Sequence, residues 1–261
     1  MDVVFLTQLG IALLLVLGLL LAVEVGFHIG GRVRGSDAGK AMESGAIQGA
    51  MLGLLGLLLG FSFAGASGRY MERQDLIPNE ANAIGTAFLR ADLLNPPFAA
   101  QLREALADYV DHRVEVSRTL RHGISADALA EVERDHARIW DAALQGVKDN
   151  PTATVSVLGP VNEVIDFHSR RIAAARKHLP GLVVGLLLVC SVLTLGVIGY
   201  ASGLAHRRNT LMTSVIALLI AAALWTTIDL DRARIGLIQL SDQALHDLQA
   251  QLGSTTARPS D

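Results

Sequence analysis

The sequence predicts an all-α fold: an integral membrane four-span helical bundle whose long helices extend into a helical extramembrane domain. Three observations carry this expectation. Four apolar runs are each long enough to cross a hydrocarbon core, which takes roughly 20 residues of helix. Between the second and third runs, apolar residues recur at helical spacing, and no segment shows the alternation of a strand. Composition agrees, with 51% apolar and 18% charged residues, against about 25% charged in ordinary soluble domains. The mean hydropathy is +0.41.

The first run covers residues 3–25 and is interrupted only by Thr7, Gln8 and Glu24. It reads as a retained span and not as a secretory leader. Asp2 stands where a basic n-region would be, the run is too long, and no small-x-small cleavage site ends it. The second run is 44–67, the third 180–204 and the fourth 210–228. Short loops, "GRVRGSDAGK" and "AHRRN", join the first to the second and the third to the fourth. The expected organisation is therefore residues 1–70 with spans one and two, 71–179 as a helical extramembrane domain, 180–230 with spans three and four, and 231–261 as a C-terminal helix and tail.

The extramembrane segment reads as helices at 71–93, 98–121, 126–147 and 155–178. "LNPPF" separates the first two, and "HGIS" supplies a stop glycine (Gly123) followed by an N-cap serine (Ser125). Leu102, Leu106, Tyr109, Val116 and Leu120 form one apolar stripe. Leu129, Val132, Trp140, Ala143 and Val147 form another. Pro160 is expected to kink or begin its helix. Asn79 and Glu80 follow Pro78 and are expected to cap and fix a helix continuing from span two.

Span two is the most distinctive stretch. Gly45, Gly49, Gly53, Gly56 and Gly60 recur every three or four residues and share one stripe. Small residues at that spacing let membrane helices approach closely. Packing within the chain, a subunit interface and a pore lining are all open to such a stripe.

The charges divide on orientation. The short loops hold Arg32, Arg34, Lys40, Arg207 and Arg208 against Asp37 and Glu43, which by the positive-inside rule places them in the cytoplasm and the helical domain outside. The opposite side is also basic, with Arg69, Arg73, Arg170, Arg171, Arg176, Lys177, Arg232 and Arg234. At that side Arg69, Glu72 and Arg73 meet Asp229, Asp231 and Arg232 in an expected interfacial charge cluster that fixes helix register. Glu24 and His28 lie four apart on one face of span one, with Glu24 near enough to the interface to snorkel. His136 and His168 fall on apolar stripes, where buried, hydrogen-bonded imidazoles are expected in preference to metal ligands.

Several classes of function find no support. "GFHIGG" follows no strand, so it is not a dinucleotide loop. "GFSFA" lacks the spacing of a nucleophile elbow. No Walker loop or paired catalytic acids occur, so neither an enzyme, a cofactor nor a metal is expected. A net charge of −3 without a basic tract does not fit nucleic acid. Cys190 is the sole cysteine, which rules out a disulfide within one chain.

Two resemblances follow from quoted residues. "GLLGLLLGF" (53–61), "EANAIGT" (80–86) and "DLDR" (229–232) followed by Gly236 resemble a bacterial membrane family of unknown function described as bestrophin-like. Over a shorter stretch, Leu59-Gly60-Phe61 with Arg69-Tyr70 eight residues past the Phe resembles the second span of bestrophin anion channels. That resemblance implies a homopentamer in the bacterial inner membrane, with span two around the axis and the helical domain in the cytosol. It carries a constriction onto Gly53, Leu57 and Phe61. Gly53 departs from the bulky apolar residue of the pattern. Asp229 and Asp231, split by Leu230, depart from the run of adjacent acids that binds calcium. Ala233 replaces a common Pro, so the last span is expected to continue further as helix.

The expected function is an oligomeric, anion-permeable channel with a hydrophobic constriction on span two. Its implied partners are the lipid bilayer, further copies of itself and inorganic anions. Gly45, Gly49, Gly56 and Gly60 would serve close helix packing. The alternative is a non-conducting membrane scaffold or sensor whose helical domain binds a partner.

Overall fold

The computed structural model describes residues 3–33, 40–119, 126–233 and 236–256. Arg34, Asp37, Leu120, Gly123, Ser125 and Arg234 lie outside the described residues, as does the side chain of Leu129. Among the described residues all regular structure is helical. The elements are α1 (Val3–Arg32), α2 (Lys40–Arg90), α3 (Phe98–Thr119), α4 (Ala126–Asp149), α5 (Thr154–Arg176), α6 (Gly181–Leu204), α7 (Thr210–Asp231) and α8 (Gln243–Thr256). Single 3-10 turns at Ala91–Leu93 and Pro151–Ala153 precede α3 and α5.

Four helical stretches are long and apolar enough to cross a membrane. Within the chain only 11% to 28% of the residues in their most apolar parts are buried. The remainder of that greasy surface therefore needs lipid or another protein surface around it. The 51-residue α2 is about 77 Å long at 1.5 Å per residue, more than twice a hydrocarbon core of about 30 Å. Within it, residues 44–67 hold no Asp, Glu, Lys or Arg, and the charges resume at Arg69. Pro78 lies inside α2, where it leaves the Gln74 carbonyl without an i+4 donor but does not end the helix.

The chain divides into two compact units. The first comprises Met1–Tyr70 and His178–Gln239. Its core joins Leu19, Leu55, Leu187, Leu195, Ile198, Ala217, Ile220, Ala221 and Leu224 from α1, α2, α6 and α7. The closest approach in this unit is between α1 and α6. A Cβ on Gly26 would overlap the Gly196 carbonyl, and one on Gly30 that of Tyr200. In return, Gly199 lies on the Val23 carbonyl and Gly203 on that of Phe27. Two small-xxx-small pairs thus let two backbones touch, which is how membrane helices gain packing without a hydrophobic drive.

The second unit comprises Met71–Lys177 and Leu240–Asp261. Its core is built from the faces the spacing predicts: Leu102, Leu106 and Tyr109 of α3 and Val132, Ala143 and Val147 of α4 are buried, while Val116 and Trp140 are half-buried. Ile77, Ile84 and Phe88 of α2, Val157, Val161 and Val164 of α5, and Leu245, Leu248 and Leu252 of α8 complete it.

One expectation about local structure is narrowed and two are corrected. Of the two roles expected of Pro160, beginning the helix is excluded, because it lies buried inside a helix that starts at Thr154. Glu80 is no cap, since α2 runs through it without a break. The last span does not continue past Ala233 but ends at Asp231. The reason is the Asp229 side chain, which accepts the backbone N–H groups of Leu237 (2.9 Å) and Ile238 (2.8 Å). That folds the chain back over the helix end, against a Gly236 whose Cβ would clash with the carboxylate. Side-chain acceptance of free backbone donors stabilises the turn against helix.

Candidate functional site

On α2, burial has helical period. Leu55, Ser62 and Ala66 are buried, with Leu52, Leu58 and Leu59 partly so. Gly53, Leu57 and Phe61, at four-residue steps, lie on the opposite face. Leu57 is 55% exposed and Phe61 69%. The glycines share that openness: a Cβ on Gly45, Gly49, Gly53, Gly56 or Gly60 would meet nothing within 4 Å. Among the described residues, no other helix crowds these glycines. The intrachain packing role is filled instead by Gly26, Gly30, Gly199 and Gly203, whose i, i+4 spacing in "GFHIG" and "GYASG" was the available signal.

At the lower end of this stretch Arg69 turns inward. Its Nε donates to Asp231 at 2.9 Å. Both oxygens of the buried Asp231 accept the Leu179 N–H at 3.0 Å, and the His178 ring lies 3.4 Å away. Asp231 thereby ties the end of α7 to α2 and to the start of α6. Beside it the Tyr70 hydroxyl donates to the Gln239 carbonyl. Of the six charged residues expected in one cluster, Arg69 and Asp231 form an ion pair. Asp229 serves backbone N–H groups, and Arg232 is exposed.

In the second unit Arg73 is buried and donates to the carbonyls of Ala174 (3.0 Å) and Lys177. A cation on the last carbonyls of α5 satisfies acceptors that the helix leaves open and suits its dipole. Glu72 pairs with Lys177 at 2.6 Å. Gln74 holds Ser241 from both sides of its amide.

Sequence reasoning named Glu80 but missed its role in this unit. Glu80 is fully buried and accepts from the Tyr109 hydroxyl (2.9 Å), from Arg113 (3.0 and 3.2 Å) and from Arg171. Burial alone would raise its pKa, but the two guanidiniums outweigh that and hold it at about 2. Burial, and then the Glu80 charge, push the Tyr109 hydroxyl well above its usual range. His136 and His168 stack edge to face, centroids 5.0 Å apart, with His136 also 5.3 Å from the Tyr109 ring. Burial, and then Arg113, lower both imidazoles, His168 to about 4. Among the described residues no third ligand joins the pair to hold a metal. The available signal was a charge on an apolar stripe: Glu80 between Ile77 and Ile84, Arg113 after Tyr109, Arg171 after Phe167.

These features define an all-α membrane protein with four spanning helices, one of them carrying an open small-residue face. Residues 17–245 match the Bestrophin-like domain, and the chain belongs to that family. No curated protein matches it in sequence. Among solved structures, one variant of a bacterial Bestrophin homologue from Klebsiella pneumoniae is 13% identical with a TM-score of 0.70, covering 97% of this chain and 100% of its own. Another variant is 13% identical with a TM-score of 0.67, covering 99% and 100%. A structure described as a membrane protein is 14% identical with a TM-score of 0.67, covering 98% and 100%. At such identity the likeness shows the fold.

Proposed function

We propose that several copies of this chain ring an axis with α2 and form an anion-permeable pore in a bacterial inner membrane. The observation that carries this reading is the outward face of α2. Gly53, Leu57 and Phe61 project from it, and a glycine stripe on the same helix makes no contact within the chain. A helix crowded around a narrow conduit must be slim, and glycines make it so. Rings of Leu57 and Phe61 form a constriction that gates by dewetting. Phe rings carry a positive edge, which suits a partly dehydrated anion, and no Asp or Glu occurs in 44–67 to favour cations. The family likeness supports five copies and a cytoplasmic helical unit.

Arg69 and Arg73 do not serve as free charges at the pore mouth in this reading, because Asp231 and the α5 carbonyls engage them. That engagement is what favours the rival, a non-conducting membrane scaffold or sensor whose helical domain binds a partner. Chloride flux from liposomes separates the two. A channel gives flux that rises several-fold in Leu57→Ala or Phe61→Ala, as a narrowed apolar ring is widened. No flux from the wild type or either variant would sink the channel reading.

A further inference from the structure

A second polar site lies in the membrane unit, at the end of the spans joined by the short 205–209 loop. A cleft of about 210 Å3 opens there between α1, α6 and α7. Leu20, Val23 and Phe27 form its apolar wall, and Ser202, Asn209 and Ser214 contribute to its polar rim. Glu24 and Arg208 also line it and are paired across it, with the Arg208 guanidinium stacked 5.2 Å above the Phe27 ring. Both groups stay accessible within the pair: the Arg208 side chain is 58% exposed and that of Glu24 42%.

Depth and charge pattern together select a ligand. Glu24 falls in the last third of the 30-residue α1, and Arg208 lies between the end of α6 and the start of α7. Both therefore stand at the level of lipid headgroups at one membrane face. One fixed anion beside one fixed cation matches a headgroup carrying an amine and a phosphate, aligned antiparallel to the pair. A headgroup with phosphate alone would meet Arg208 but would also face the Glu24 carboxylate. Below Glu24 the exposed Leu17 and Leu21 continue the same side of α1, giving acyl chains an apolar track.

We propose that this cleft binds a zwitterionic aminophospholipid, its phosphate on Arg208 and its ammonium on Glu24. The site is independent of conduction, so it stands or falls apart from the pore.

The test uses the full-length protein extracted in mild detergent, delipidated, and titrated with phosphatidylethanolamine or phosphatidylglycerol while adducts are read by native mass spectrometry. Phosphatidylethanolamine should be retained at roughly tenfold lower concentration, the worth of one charge-assisted hydrogen bond. Arg208→Gln should weaken both lipids. Glu24→Gln should erase the preference while leaving phosphatidylglycerol retention at or above wild type. Ser214→Trp, which places a bulky side chain in the cleft while leaving both charged residues in the sequence, should abolish the preferred adduct with an unchanged melting curve; if it melts early, Glu24→Gln decides. Equal retention of the two lipids by the wild type overturns the proposal, as does a preference that survives Glu24→Gln. Displacement by free phosphoethanolamine at matching concentration also overturns it, because the cleft would then belong to a soluble ligand.

Discussion

Glu80 shows how much one residue can hold. It is the buried anion that joins Tyr109, Arg113 and Arg171, with Asp242 at 3.7 Å from Arg171 as a second, more exposed carboxylate. Glu80→Gln leaves two buried guanidiniums short of compensation and should cost about 3–5 kcal/mol, read as lost resistance to chemical denaturation. The same group sets an acid limit. Its pKa is lower folded than unfolded, so its contribution is complete above about 4.5 and is lost as pH falls toward about 2. The stacked histidines act earlier. Both imidazoles are depressed by burial, so the stability they favour is complete above about 6.5 and declines as pH falls below it, for His168 toward about 4. The charges facing them are Arg113, Arg171, Glu80, Glu133 and Asp135. Melting temperature followed from pH 7 to pH 4 should fall, and His168→Phe should flatten that slope.

At the scale of elements, two glycine stripes do different work. On α1 and α6, Gly26, Gly30, Gly199 and Gly203 accept a neighbouring backbone with no room for a methyl. Gly199→Leu should destabilise the membrane unit by about 1–3 kcal/mol or more through overpacking, measured as a lower melting temperature in detergent. On α2 the open stripe predicts the opposite. Gly49→Leu with Gly56→Leu should leave the melting of the isolated chain unchanged and should remove the higher band on a native gel. An unchanged band would mean that copies do not meet along this face. The junction at Asp231 belongs to this scale too. Asp231→Ala frees the Arg69 guanidinium and the Leu179 N–H together and should cost about 3 kcal/mol or more, visible in thermal denaturation.

For the whole molecule, basic residues flank the spans on both sides, so the side that carries the helical unit is read by labelling. Gln145 is exposed on α4. Gln145→Cys in a Cys190→Ser background should resist an impermeant thiol reagent in intact cells and react once they are opened, as a cytoplasmic unit requires. Labelling in intact cells would place that unit outside. The helix positions were legible because apolar stripes at helical period and runs of about 20 apolar residues have few other uses. The candidate site was legible only in its residues. Leu57 and Phe61 could be named from spacing and family likeness, but their exposure follows from Leu55, Ser62 and Ala66 taking the inward side.

By itself the sequence determined the all-α class, four spans and the helical segment between them. It determined them because hydrophobicity and periodicity are local quantities. Which glycines touch a neighbour, whether Arg69 points to solvent or to Asp231, and that Glu80 gathers two arginines and a tyrosine were decided only by tertiary structure. Each of those facts joins residues distant in the chain, Arg69 with Asp231 and Glu80 with Arg171 among them. A charge written in a sequence acquires its role only when folding supplies its partner or leaves it exposed to lipid and water.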